Sequence, residues 1–139
     1  NFILIVRDDM QEGFIYINNN VFNTLLALSE EEQTRGLMYE QWPPPAMVFI
    51  YKNSSINKFW MKNTPSPLDI LFCDNNKINQ ICAGTPYSTD IIGKDIPSNL
   101  VIELPYGTVS QSKIKLGDQV GLVKPTLDEL KKIIYKKPW

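Results

Sequence analysis

The sequence predicts a mainly β fold: a compact antiparallel β-barrel or rolled sheet with one short internal helix and a C-terminal helix. Short apolar runs recur along its 139 residues, and segments rich in Asn, Gly and Pro separate them. Such spacing is typical of small barrels and rolled sheets. Only two stretches carry the signals of a helix start, and the length suits a single domain with its own core.

The first three predicted strands are apolar runs, Phe2–Val6, Phe14–Ile17 and Val21–Leu28. The helix that follows begins at Ser29, because a serine with Glu32 three positions later forms a capping box. It should run to about Arg35 and end at Gly36, since glycine readily takes the left-handed conformation of a helix terminus.

The middle of the chain is predicted as strand Met47–Tyr51, turn Lys52–Ser55 and a further strand over residues 59–62. In that last strand Phe59 and Met61 would face one side while Trp60 and Lys62 face the other.

Pro65 and Pro67 then break the chain before an apolar run from Leu68 to Cys73. Later strands are predicted over Ile78–Ala83, Leu100–Leu104 and Gln119–Val123, with a short turn or helical piece before the last.

The two cysteines are predicted to be free thiols. If Asn75–Asn76 is a two-residue turn, Cys73 faces Ile78 and Cys82 lies four residues further along. At about 3.3 Å per residue the separation is roughly 13 Å, which is too long for a disulfide.

These elements divide the chain into a strand extension over residues 1–20, a β-barrel domain over 21–123 and a C-terminal amphipathic helix over 124–139. Thr126 begins that helix, whose apolar side carries Leu127, Leu130, Ile133 and Ile134.

Composition excludes several function classes. The chain has no histidine, which removes catalysis by a histidine triad and metal sites built on imidazole. The net charge of −1 comes from scattered charges, so we expect no nucleic-acid partner. No apolar run approaches the roughly 20 residues that span a bilayer. Because the sequence starts at Asn1, an exported or organellar location is favoured.

Four groups of residues stand in an order that matches a known family. They are Glu32–Met38; Met47–Phe49; Phe59–Thr64 with Pro67–Ile70; and Val101–Leu104 with Gly107 and Lys115–Asp118. On these segments the chain resembles the uncharacterised family called domain of unknown function 192. The resemblance implies a compact, mostly β barrel, often exported from bacteria, and it implies no known activity.

Asp69 and Glu103 are the two acids set into apolar strands. They could face each other as acid and base, with Lys62 or Arg35 tuning them. The alternative is that each carboxylate accepts backbone donors or pairs with one of those cations. A third arrangement would add Asp118 to hold a calcium or magnesium ion.

Trp60 and Asn63 could form a ligand platform. Alternatively, the Trp60 ring could fill the end of the barrel while the Asn63 side-chain amide hydrogen-bonds to the backbone of the turn. The first functional hypothesis is a non-catalytic module that binds a protein partner or serves as an accessory subunit. Its contacts would be the N-terminal strand, the connector Pro43, Pro44 and Pro45, and Leu127, Leu130 and Ile134 of the last helix.

The alternative hypothesis is a small-molecule or glycan-binding domain, with hydrolysis by Asp69 and Glu103 as one form of it. Its binding residues would be Arg35, Trp60, Lys62, Asn63, Asp69 and Glu103. Neither hypothesis calls for a cofactor or a metal.

Overall fold

A computed structural model describes residues 10–124, which form one seven-stranded sheet and two short helices. The elements in chain order are β1 (Gln11–Ile17), β2 (Asn20–Ala27), α1 (Glu30–Arg35), β3 (Ala46–Ile56), β4 (Leu68–Asp74), β5 (Lys77–Gly84), β6 (Pro97–Pro105), α2 (Thr108–Gln111) and β7 (Val120–Val123). No helix among these residues is long and apolar enough to cross a membrane.

The sheet is curled into a half-barrel with the strand order β5-β4-β6-β3-β2-β1-β7. The predicted mainly β rolled sheet is therefore confirmed, with one difference in strand direction. β2 and β3 pair in parallel, because the connection through α1 returns the chain to the same end of the sheet. At the open side an isolated bridge joins Lys77 at the start of β5 to Gln119, next to β7.

The predicted division of the chain at residue 20 does not match the sheet. β1 lies between β2 and β7 and is hydrogen-bonded to both, so it is an integral strand and not an extension. The predicted strand Phe2–Val6 and the predicted C-terminal helix lie outside the described residues.

The sheet is buried on both faces, and β4 shows this most clearly. Leu68, Ile70 and Phe72 belong to one apolar cluster, while Leu71 and Cys73 belong to the other. We call the first side the α1 face, because Leu37 just after α1 packs there, and the second the α2 face, which Val109 of α2 covers. Burial on both sides explains why β4 is apolar at successive positions instead of alternating between apolar and polar residues.

Two local predictions in the middle of the chain are wrong. The predicted turn Lys52–Ser55 is the exposed end of β3. Residues 59–62 do not form a strand, because this segment crosses the α1 face and only Phe59 makes a bridge, with Ile92. Its alternating burial is correct, since Met61 is fully buried and Trp60 is exposed.

The predicted turn at Asn75–Asn76 and the predicted cap of α1 are confirmed. Asn75 and Asn76 both have positive φ, 50° and 62°, as a two-residue hairpin turn requires. Cys73 is paired with Ile78 across that hairpin, and both cysteines are free. Around α1 the capping box is complete in both directions.

Candidate functional site

Asp69 is held by backbone donors on the α2 face. Its Oδ2 accepts hydrogen bonds from the N–H of Gly107 at 3.0 Å and of Val109 at 2.9 Å. The side chain is only 6% exposed, so these two donors supply the partners that a buried carboxylate needs. Asp69 therefore ties the turn between β6 and α2 to the sheet.

Glu103 projects from the opposite face. In the ladder between β4 and β6, Asp69 is opposite Leu104, whereas Glu103 is opposite Ile70. Paired residues point to the same side of a sheet, and Ile70 and Leu104 belong to different clusters. The acid–base pair that the sequence suggested is therefore not assembled, because the sheet separates the two carboxyl groups.

The surroundings of Glu103 leave its carboxyl group without a partner among residues 10–124. The residue is 4% exposed, and within that part of the chain no hydrogen bond or ion pair reaches its side chain. Burial raises the pKa of Glu103 to about 8, so the group is mainly protonated at neutral pH. The pKa of Tyr51 is raised as well, mainly by burial and to a lesser extent by the charge of the Glu103 carboxyl group.

Glu103 opens onto a cleft of about 390 Å³, which we call the α1 cleft. α1 and the turn after it form one side, and β3 and residues 57–60 form the other. The lining residues are Glu30, Gln33, Thr34, Arg35, Gly36, Leu37, Met38, Phe49, Tyr51, Asn57, Lys58, Phe59, Trp60, Thr64 and Glu103. This volume falls near the lower end of the range of small-molecule sites.

Hydrogen bonds fix α1 against the sheet. The Gln33 amide nitrogen donates to the carbonyls of Ala27 at 3.1 Å and Ile50 at 2.9 Å, which ties the helix to β2 and β3. Arg35 in the last turn is half-buried, and its Nη1 makes one long hydrogen bond of 3.4 Å to the Gly36 carbonyl. Most of its guanidinium donors are thus open to the cleft or to solvent.

Residues 57–64 are held on the other side by a neighbouring loop. Phe59 and Ile92 exchange backbone hydrogen bonds of 3.0 and 2.8 Å, and the Met61 N–H donates to the Ser88 carbonyl at 2.8 Å. The Phe59 ring packs edge-on against Phe49, with centroids 4.9 Å apart. Trp60 is consequently presented at the surface by a fixed backbone.

The α1 cleft brings together three of the six predicted binding residues, Arg35, Trp60 and Glu103. Trp60 is 44% exposed and so does not fill the end of the barrel. Lys62 lies beside the cleft, with its Nζ 5.2 Å from the centre of the Trp60 ring.

Asn63 and Asp69 do not line the α1 cleft. Asn63 has a φ of 56°, and its backbone carbonyl accepts a hydrogen bond of 2.8 Å from the Tyr39 N–H. Its role is therefore to stabilise the turn. Within residues 10–124 no group of three acidic or thiol side chains could hold a metal, so Asp69, Glu103 and Asp118 do not converge.

Sequence reasoning missed Tyr51 and Gln33. Tyr51 continues the alternation of Met47 and Phe49 along β3, which is the signal that could have placed it on the α1 face. Gln33 carries no such signal, because its role depends on carbonyls from two distant strands.

The proline connector packs mainly on its own domain. Pro43 is exposed, but Pro44 is buried and Pro45 is half-buried, so the connector offers little free surface for a partner. Leu127, Leu130 and Ile134 lie outside the described residues.

Solved structures of two bacterial proteins are among those that match this chain in fold. A protein of Sinorhizobium meliloti 1021, provisionally described as a transcription regulator, is 29% identical with a TM-score of 0.76, covering 81% of this chain and 95% of its own. A protein of unknown function from Novosphingobium aromaticivorans DSM 12444 is also 29% identical, with a TM-score of 0.70 and coverage of 81% and 84%.

No curated protein matches the chain. A family model does match, over residues 14–122, and it is described as an uncharacterized ACR, domain of unknown function 192. The matched region contains all seven strands and both helices except the first part of β1 and the last residue of β7. The chain therefore belongs to the family called domain of unknown function 192.

Proposed function

We propose that this protein is a non-catalytic β module that binds a small polar molecule in the α1 cleft. The observation that carries the proposal is the Glu103 carboxyl group, which is buried, lacks a partner among residues 10–124 and lines the cleft. Buried polar groups in folded proteins nearly always have a hydrogen-bond partner. A ligand bound in the cleft would replace solvent as the partner of Glu103, which keeps 4% of its surface exposed there.

The lining of the cleft supports the same proposal. Arg35, Phe49, Trp60 and Glu103 come one from each of the four segments on which the chain resembles its family. Those segments are far apart in sequence, and the fold brings a side chain of each to one cleft. An aromatic wall with a few polar groups is the usual composition of a small-molecule site.

Binding is favoured over hydrolysis by the position of Asp69. A glycosidase needs two carboxyl groups beside the same bond, roughly 5 to 10 Å apart and on the same side of the protein. Asp69 is on the α2 face, and its Oδ2 already accepts hydrogen bonds from the N–H groups of Gly107 and Val109 there. That arrangement supports a structural role for Asp69.

Titration of the ¹⁵N-labelled chain with single sugars, amino acids, amines and carboxylic acids, followed by NMR, tests the proposal. We expect at least one compound to shift the Trp60 indole signal together with backbone signals of Arg35 and Tyr51. Trp60→Ala should weaken that binding, whereas Trp42→Ala should not, because Trp42 is 55% exposed but lies outside the cleft. Shifts that appear only around Asp69 and Gly107, or in no part of the chain, would contradict the proposal.

A second candidate function, as a partner-binding or accessory subunit, is favoured by an exposed aromatic surface. Tyr39 and Tyr87 are each 64% exposed and Trp42 is 55% exposed. The Tyr39 and Tyr87 N–H groups donate to the carbonyls of Asn63 and Thr64, so both lie on loops joined to the same turn. Exposed aromatic side chains on fixed backbone are common in protein interfaces.

That candidate is tested by affinity capture from the source organism with identification of the bound proteins. A partner retained by Tyr106→Ser but lost by the double variant Tyr39→Ser and Tyr87→Ser would support it, because Tyr106 is 57% exposed elsewhere on the surface. Equal loss or equal retention by the two variants would count against it. The absence of a cofactor and of a nucleic-acid partner remains a prediction.

A further inference from the structure

Two of the cations around the α1 cleft, Arg35 and Lys62, form no ion pair in the described part of the chain. Lys58 is paired with Asp95, its Nζ 2.7 Å from Oδ1. Arg35 has no ion pair among residues 10–124, and Lys62 contacts the Trp60 ring instead of an acid. α1 also carries Glu30, Glu31 and Glu32, of which Glu30 alone lines the cleft, and none of the three forms an ion pair with Arg35.

Glu103 adds no negative charge to the cleft at neutral pH. Its burial holds the carboxyl group in the protonated form until about pH 8, and a protonated carboxyl can donate a hydrogen bond. A ligand anion can therefore approach it without repulsion. The groups that face Glu103 from the other elements are Tyr51 on β3, Glu30 and Arg35 on α1, and Lys58 before Trp60.

Trp60 indicates the shape of the ligand. Its ring is 44% exposed beside polar lining groups, so it offers a flat apolar surface next to hydrogen-bonding partners. A pyranose ring has the complementary character, with an apolar face and hydroxyl groups around its edge.

We propose that the ligand of the α1 cleft is an acidic sugar, with its carboxylate at Arg35, its ring against Trp60 and a hydroxyl group at Glu103. This inference rests on the proposed binding function and names the ligand class. Arg35 suits the carboxylate because a guanidinium can donate two parallel hydrogen bonds to it.

Three sugars that share a pyranose ring provide the test: glucuronate is anionic, glucose neutral and glucosamine cationic. By calorimetry at about pH 6.5, glucuronate should bind at least about tenfold more tightly than glucose, and glucosamine most weakly. Arg35→Gln should abolish the advantage of glucuronate over glucose. Lys115→Gln removes a cation from the α2 side and should leave that advantage unchanged.

The pH dependence gives an independent readout. Glucuronate affinity should fall as the pH is raised through about 8, because Glu103 then ionises and adds a negative charge to the cleft that holds the anionic sugar. In Glu103→Gln that fall should disappear. A cationic ligand would instead bind more tightly to the ionised carboxyl group.

The inference is overturned if glucuronate does not bind, if glucose or glucosamine binds as tightly, or if glucuronate affinity is constant up to about pH 9. In each case the proposed function still stands if another compound shifts the Trp60 and Tyr51 signals. If no compound does so, both fail together.

Discussion

Asp69 and Glu103 are diagonal neighbours in the ladder between β4 and β6, yet their carboxyl groups leave opposite faces of the sheet. Asp69 accepts two backbone hydrogen bonds, whereas the Glu103 side chain receives none from residues 10–124. One acid therefore stabilises a turn, and the other is left for the α1 cleft.

Replacing Asp69 with alanine should destabilise the protein strongly. The change leaves the N–H groups of Gly107 and Val109 without their acceptor, and hydrogen bonds to a charged group contribute about 1.5 to 3 kcal/mol each. We expect the free energy of unfolding in urea to fall by about 2 to 4 kcal/mol. Asp74→Ala, which loses one exposed bond from Ser54, should cost about 1 kcal/mol or less; an equal loss in both variants would contradict the assignment.

The stability of the protein should depend on pH through Glu103. The unfolded carboxyl ionises near its ordinary pKa of 4.5, whereas the folded one stays protonated to about pH 8. Between these values the folded state binds the extra proton, so stability falls as the pH rises through this window and changes no further above it. The loss attributable to Glu103 should be on the order of a few kcal/mol.

Urea unfolding of the wild type and of Glu103→Gln at about pH 5 and about pH 8.5 measures this contribution. The variant cannot ionise at this position, so its stability should change much less between the two conditions. The idea of a neutral buried carboxyl is wrong if both proteins lose the same stability as the pH is raised.

Gly36 should not tolerate a side chain. Its φ is 51°, and an added Cβ would lie 3.3 Å from Cζ of Phe49 in the wall of the α1 cleft. Gly36→Ala should therefore cost about 1 to 2 kcal/mol, seen as a lower urea midpoint. Gly121→Ala is the matched control, because an added Cβ there meets nothing within 4 Å, and its midpoint should stay the same or rise.

The two thiols should differ in reactivity. Cys73 is 1% exposed and burial raises its pKa to about 12, whereas Cys82 is half-buried. Burial also raises the pKa of Cys82, so that thiol should react slowly with a disulfide reagent in the native protein while Cys73 does not. Both should react at once in denaturant, and Cys82→Ser should remove the native reaction; rapid reaction of both native thiols would contradict the packing of β4.

Much of the fold could be predicted because its signals are local. The capping box of Ser29 and Glu32 and the turn at Asn75 and Asn76 depend on residues a few positions apart. Residues 59–62 have the sequence pattern of a strand without forming one, because a segment that crosses an apolar face alternates between buried and exposed side chains just as a paired strand does.

The site was harder to predict because its residues are far apart in the sequence. Arg35, Trp60 and Glu103 could be named as candidates, but their convergence depends on how α1 and residues 57–60 are placed over the sheet. The separation of Asp69 from Glu103 depends on strand register, since a shift by one residue would have put both on one face.

β6 lies between β3 and β4, although those two strands follow each other along the chain. Until residues 97–105 are available, the hairpin of β4 and β5 and the group of β1, β2 and β3 have no strand that connects them. Assembly must therefore wait for a late segment to insert between two early ones, a non-local step that is slow in β proteins. A nascent chain that has emerged only as far as β5 would expose unpaired strand edges, and it would then be most prone to aggregate.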